Sequence, residues 1–135
     1  LLSSVIAKKK YVRDALKNFQ KNFINNSKLV IVEGRDIGSK IMPDADLKLF
    51  FKCSVREKAK RRLKEFRLMD KKITLKQVEK ALFKRDKEDT KRKISPLIMA
   101  KNAVLVDTTK LSIKQMEERL INLVKSSIKN KYGNL

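Results

Sequence analysis

Apolar residues fall along this chain in two rhythms. Between residues 3 and 25 the spacing is helical: Val12, Leu16, Phe19 and Phe23 recur at intervals of four, three and four, one stripe of a helix face. Ser3 or Ser4 can cap its start. Lys8-Lys9-Lys10 breaks the pattern, leaving open one helix or two that meet near Lys10. The second rhythm is unbroken rather than alternating. Leu29 to Val32, Leu47 to Cys53 and Ala103 to Asp107 are apolar runs of the kind buried on both faces of a parallel sheet. Between them, Ser54-Val55-Arg56-Glu57, Thr74-Leu75-Lys76-Gln77 and Ser112-Ile113-Lys114-Gln115 have the Ser/Thr-x-x-Glu/Gln form of a capping box. They open helices expected to run to about Met69, through Lys91, and along the stripe Ile113, Met116, Leu120, Leu123 or Val124, and Ile128. Gly38 to Met42 reads as a short extended piece stopped by Pro43, and the tail from Lys129 as frayed.

The expected architecture is a three-layer α/β unit. Strands 29–33, 47–52 and 103–107 would be parallel neighbours joined by right-handed crossovers. Residues 1–53 and 94–135 would form its core. Residues 54–93 stand apart: from Arg56 to Lys93 there are 17 basic and 7 acidic residues, half of the net +20 of the chain. Two thinly apolar, strongly charged helices bury little, so this segment reads as a mobile flap; the plainer reading is two solvated surface helices.

The 135 residues suffice for one modest domain. Histidine is absent, which removes His-based triads and most zinc sites. The single cysteine, Cys53, forms no disulfide framework and reads as a small buried residue at a strand end. No apolar run reaches membrane-spanning length and no signal peptide is visible, so a cytoplasmic protein is the expectation. The charge invites a nucleic-acid reading, but 26 of the 35 basic residues are lysines scattered along the chain. A solvated lysine coat accounts for them equally well. A small basic RNA-binding module would also need aromatics on a basic face, and most of the eight aromatic residues fall on apolar stripes or strands.

Three places carry candidate chemistry. Glu33-Gly34-Arg35-Asp36 closes the first strand-like run with an adjacent cation and anion, where ligands bind in open α/β sheets. It is otherwise an exposed turn. Arg85, Asp89 and Arg92 are four and three apart, on one helix face, which suits a ligand site or a salt-bridge ladder. Arg13 points away from the apolar stripe of its helix and reads locally as a surface charge.

The runs E-G-R-D-I-G and I-M-P-D-A-D-L-K-L-F resemble the signature of bacterial cytidylate kinases, and R-D-K-E-D-T-K-R followed by S-P-L resembles their R-D-x-x-D-x-x-R and [SA]-P-L. The segment around V-R-D-A-L and the run A-V-L-V-D-T-T also match, so the resemblance covers nearly all of residues 3–128. It implies a P-loop-kinase-like α/β fold with residues 54–93 as a lid, and transfer of the ATP γ-phosphoryl group, with Mg²⁺, to CMP or dCMP. It implies that Ser4, Arg13, Asp36 and Arg92 surround the cytosine. Arg35 and Arg85 would take the phosphate, Asp89 the ribose, and Arg61 and Arg62 would make lid contacts to phosphate. Four of only nine arginines stand at matched positions, and a guanidinium fork suits phosphate.

The family also has a P-loop, G-x-x-x-x-G-K-[ST]. Gly34, Gly38 and Gly133, the three glycines here, do not make it. The matches are to the family's later part, so the P-loop, the first substrate-binding elements and a small inserted domain are expected upstream of Leu1. On this reading the chain holds the CMP side and the lid of an enzyme that is monomeric when whole. A non-catalytic remnant of a kinase is the other reading. With its sheet open along one edge, this chain alone would be prone to pair with a partner or a second copy.

Overall fold

The computed structural model describes Ile6, residues 9–69 and residues 72–133. Helix α1 spans Lys10–Asn25, and Lys9 before it is extended, so the lysine cluster does mark a helix boundary. An irregular segment and a π-helical turn at Ile37–Ile41 follow. Strand β1 is Leu49–Lys52, helix α2 Val55–Leu68, helix α3 Leu75–Lys91, strand β2 Val104–Asp107 and helix α4 Ile113–Tyr132. Ser4 lies outside the described residues.

β1 and β2 pair in parallel, Leu49 opposite Val104 through Lys52 opposite Asp107. The Val104 amide donates to Lys48 O and the Thr108 amide to Lys52 O, each at 2.8 Å, extending the ladder at both ends. Val106 is fully buried and Thr108 nearly so. The chain between the two strands is the α2–α3 hairpin. This is an α/β arrangement, with two of the three expected strands paired in parallel.

The third expected strand is a correction. Residues 29–33 form no strand, and Leu29 and Ile31 are 95% and 100% exposed. An apolar run states what a side chain would bury, whereas a strand also needs a neighbour for its amides and carbonyls. β1 and β2 satisfy each other, and no described segment pairs with 29–33.

The expected extended piece 38–42 is also corrected, because residues 38–41 are helical and Met42 caps the turn. The Lys40 amide donates to Asp36 O at 2.8 Å and the Met42 amide to Ile37 O at 2.7 Å, so the turn satisfies its own backbone. It buries Ile41, and Pro43 ends it. Close approach requires Gly34 at its entrance: a Cβ there would lie 2.7 Å from Ile37 Cγ1. The tail from Lys129 is corrected in the same direction, since α4 continues to Tyr132. Lys131 pairs with Asp46, Ser127 Oγ donates to Asp46 O, and Gly133, at φ 79°, turns the chain off the helix.

Two capping boxes form fully, at Thr74/Gln77 and Ser112/Gln115. At the third, Ser54 Oγ accepts from the Glu57 amide as expected, but Glu57 does not return the bond. The Ser54 amide donates instead to Thr109 Oγ1 at 3.0 Å, a tie between the strand ends that leaves Glu57 to face Lys60 and Arg61.

The hairpin holds more core than its charge suggested. Ala59, Leu63 and Val78 are buried together, with Phe66, Ile73, Leu75 and Leu82 packed around them. By contrast α1 buries no residue, and Leu16, Phe19 and Phe23 on its stripe are all more than half exposed. Cys53 is half-buried.

Candidate functional site

Three segments distant in sequence bring their charged residues together: α1, the turn before Ile37, and the end of α3. Arg13, facing away from the apolar stripe of α1, reaches Asp36, with Nη2 2.5 Å from Oδ2. Both side chains are more than four-fifths buried. Asp36 is oriented for this because it stands at the entrance of the π-helical turn, where its carbonyl accepts from Lys40. π-Helical turns recur at functional positions.

The neighbouring Arg35 points to α3. Its Nη1 lies 2.6 Å from Asp89 Oδ2 and 3.8 Å from Asp86 Oδ1. Asp89 is the hub. Its Oδ1 accepts from Arg92 Nη1 at 3.2 Å, and Arg85 Nε stands 3.9 Å from Oδ2. Oδ2 is sealed from solvent and makes no aligned hydrogen bond, although the Arg35 charge is in contact.

Arg92 closes the cluster. Its Nε donates to Ser95 O, and the Leu97 amide returns to Asp89 O at 2.8 Å, folding the S-P-L segment back onto α3. Ser95 adopts a left-handed φ of 52°, unusual for a residue with a side chain. Burial, and then the nearby Arg13 guanidinium, push the Arg92 pKa below the ordinary arginine value, while Asp89 and Asp36 pull it back. Arginine stays charged across the ordinary pH range. Those influences also tie the Arg13–Asp36 pair to the Arg35–Asp89–Arg92 set as one electrostatic unit.

Of the residues singled out in the sequence, Arg13, Arg35, Asp36, Asp89 and Arg92 meet here, and Arg85 sits on the rim with its side chain 58% exposed. Arg61 and Arg62 have other partners. Arg61 Nη2 donates to Thr108 O at 2.7 Å and Leu111 O at 3.3 Å, which ties α2 to the end of β2. Arg62 pairs with Glu65 and lies over the Phe66 ring at 4.9 Å.

Sequence reasoning gave no role to Asp86, although it is the first Asp of the R-D-x-x-D-x-x-R match, and did not single out Lys58. Asp86 Oδ2 accepts from Lys58 Nζ at 2.7 Å. Besides that match, Asp86 stands three residues before Asp89, on the same face of α3. Lys58 gave no hint, because its partner is 28 residues away. With these two, five cations face three carboxylates, a surplus of two positive charges.

Among the described residues no three His, Cys, Asp or Glu side chains gather as a metal site. None of the described helices is long and apolar enough to cross a membrane.

A parallel strand pair joined through a charged helical hairpin makes this a mixed α/β protein, consistent with a P-loop-kinase-like fold. The family model of cytidylate kinase matches residues 2–126, and the chain belongs to that family. It is 40% identical over 129 residues to a cytidylate kinase of Thermosipho melanesiensis, covering 96% of this chain and 59% of that protein. Identity to the cytidylate kinase of Pediococcus pentosaceus is 41% over 128 residues, 95% of this chain and 56% of that protein. For Thermotoga maritima it is 38% over 125 residues, 93% and 56%. The chain thus spans less than three-fifths of the length of these relatives.

Proposed function

We propose that this chain carries the CMP-binding side of a cytidylate kinase, an enzyme that transfers the ATP γ-phosphoryl group, accompanied by Mg²⁺, to CMP or dCMP. The observation that carries this reading is the convergence of Arg13–Asp36 with Arg35–Asp89–Arg92. These are the residues that match the family's motifs, and they come from three separate segments.

The roles follow from chemistry. A carboxylate only accepts, so Asp36 suits the exocyclic amine of cytosine and repels the carbonyl that uracil has there. Arg13 and Arg92 donate to the ring carbonyl and the unprotonated ring nitrogen, as would Ser4. Arg35 and the rim guanidinium of Arg85 answer the phosphate dianion, and the buried Asp89 accepts from ribose hydroxyls. Phosphoryl transfer asks a protein mainly for positioning and for charge around the moving group. A surplus of two positive charges matches a phosphate monoester dianion.

Residues 54–93 act as the lid and 1–53 with 94–135 as the core. The hairpin packs on its own cluster, and polar ties join it to the rest of the protein: Ser54 to Thr109, Arg61 to Thr108, and the Arg35 contacts. Such an element can move as a body, and Arg61 and Arg62 would turn to phosphate on closure. Calorimetric titration of the chain with CMP, dCMP, UMP and AMP tests the reading. CMP and dCMP should bind more tightly than UMP, and AMP least. Equal affinity for CMP and UMP would overturn it.

A further inference from the structure

Asp86 is the one carboxylate of the cluster to which the proposed nucleotide contacts give no task. It lies one helical position after Arg85, with its side chain 27% exposed. Its two oxygens face different elements: Oδ2 accepts from Lys58 Nζ of α2 at 2.7 Å, and Oδ1 stands 3.8 Å from Arg35 Nη1 of the turn. An acid beside a phosphate-binding arginine opposes the ligand by charge, so its presence needs a compensating effect. The compensation is visible in Lys58. A lysine on the first turn of α2 has four rotatable bonds and would otherwise extend into water. Asp86 holds its ammonium with one carboxylate oxygen while the other oxygen faces the Arg35 guanidinium, so both cations share one carboxylate.

We propose that Asp86 is a positioning residue that places Lys58 beside Arg35 as a second cation for the nucleotide phosphate. The pair thereby links the first helix of the hairpin to the turn that carries Arg35. This rests on the nucleotide-binding reading above. When a phosphate dianion arrives, the lysine is already at the site, and the entropy of recruiting it has been met within the fold. The link also runs backwards: with the phosphate bridging Lys58 and Arg35, the start of α2 is held against the turn.

The test is equilibrium binding of CMP, and separately of cytidine, to the wild-type chain and to Lys58→Met, Asp86→Asn, Lys58→Arg and the Lys58→Met/Asp86→Asn double variant. Methionine keeps the apolar stem of lysine and removes its charge. CMP should bind about fivefold more weakly to Lys58→Met and to Asp86→Asn, the scale of a partly exposed ion pair, with cytidine unchanged. The double variant should be no weaker than Lys58→Met alone, because Asp86 acts through Lys58. Lys58→Arg should recover most of the loss. Tighter CMP binding by Asp86→Asn would overturn the proposal, since Asp86 would then be only a competitor for Arg35. Equal weakening of CMP and cytidine would also overturn it, as would full additivity in the double variant. A wild-type chain that binds neither ligand would instead refute the nucleotide reading, and this inference would fall with it.

Discussion

Arg13 Nη2 meets Asp36 Oδ2 at 2.5 Å across 23 residues of sequence. The contact joins α1 to the π-helical turn, and in the proposed function the Asp36 carboxylate accepts from the cytosine amine. Asp36→Ala should therefore remove the preference for CMP over UMP, a loss of roughly 1–3 kcal/mol, because the cytosine amine would lose its acceptor. Binding of both nucleotides to the two proteins measures it. Should Asp36→Ala discriminate as well as wild type, the base contact lies elsewhere.

Arg35 is adjacent in sequence, but its guanidinium turns to Asp89 at 2.6 Å, and the proposed function gives it the phosphate rather than the base. A phosphate contact is blind to the base. Arg35→Ala should weaken CMP and UMP alike, by about 2 kcal/mol, the scale of a charge-assisted hydrogen bond. Cytidine, lacking phosphate, is the control and should be insensitive. Unequal losses for CMP and UMP would move Arg35 into the base site.

These two neighbours show what was legible in the sequence and what was not. The charged residues of the cluster could be picked out one by one, because Arg35-Asp36 closes an apolar run and Arg85, Asp89 and Arg92 share a helix face. Their partnerships could not: Arg13 with Asp36 and Lys58 with Asp86 are contacts between segments, and local spacing is silent on them. The same limit explains the fold. Capping residues fixed the helix starts at Val55, Leu75 and Ile113 because a cap acts within one turn. The run Leu29 to Val32 has the composition of a strand, but only a hydrogen-bonding neighbour makes it one. Charge misled in the hairpin, where the abundance of lysine and arginine hid how well Ala59, Leu63 and Val78 interlock.

That interlock gives a stability prediction. Leu63 is 8% exposed and fills the seam between α2 and α3. Leu63→Ala should destabilise by about 2 kcal/mol, near the low end for buried leucine, because so small a cluster can partly collapse into the gap. The loss should be local. Amide exchange should accelerate throughout α2 and α3 together, while β2 amides such as Val106 change less. Uniform acceleration through the sheet would mean that the hairpin and the strand pair unfold as one unit rather than as separable bodies.

The last prediction concerns Asp107, at the carboxyl end of β2. The Thr109 hydroxyl, and then the Thr109 amide at 2.9 Å from Oδ1, hold its pKa below the ordinary aspartate value, with Lys52 and Arg119 adding to the effect. The sign follows from linkage. A carboxyl whose folded pKa is depressed adds stability that is fully present above its unfolded value of about 3.9 and is lost as pH falls through the lower folded value. Asp107 is fully exposed, so the change belongs to the local turn rather than to global unfolding. Thr109→Val keeps the amide and removes the hydroxyl, and the Asp107 pKa should rise part of the way toward the ordinary value. Carbon-detected NMR titration of the carboxyl group reads this directly. The same hydroxyl accepts from the Ser54 amide at 3.0 Å, so the variant should also speed exchange at Ser54. A raised Asp107 pKa with an unchanged Ser54 amide would separate the two contacts. An unchanged pKa would show that the amide alone sets the shift.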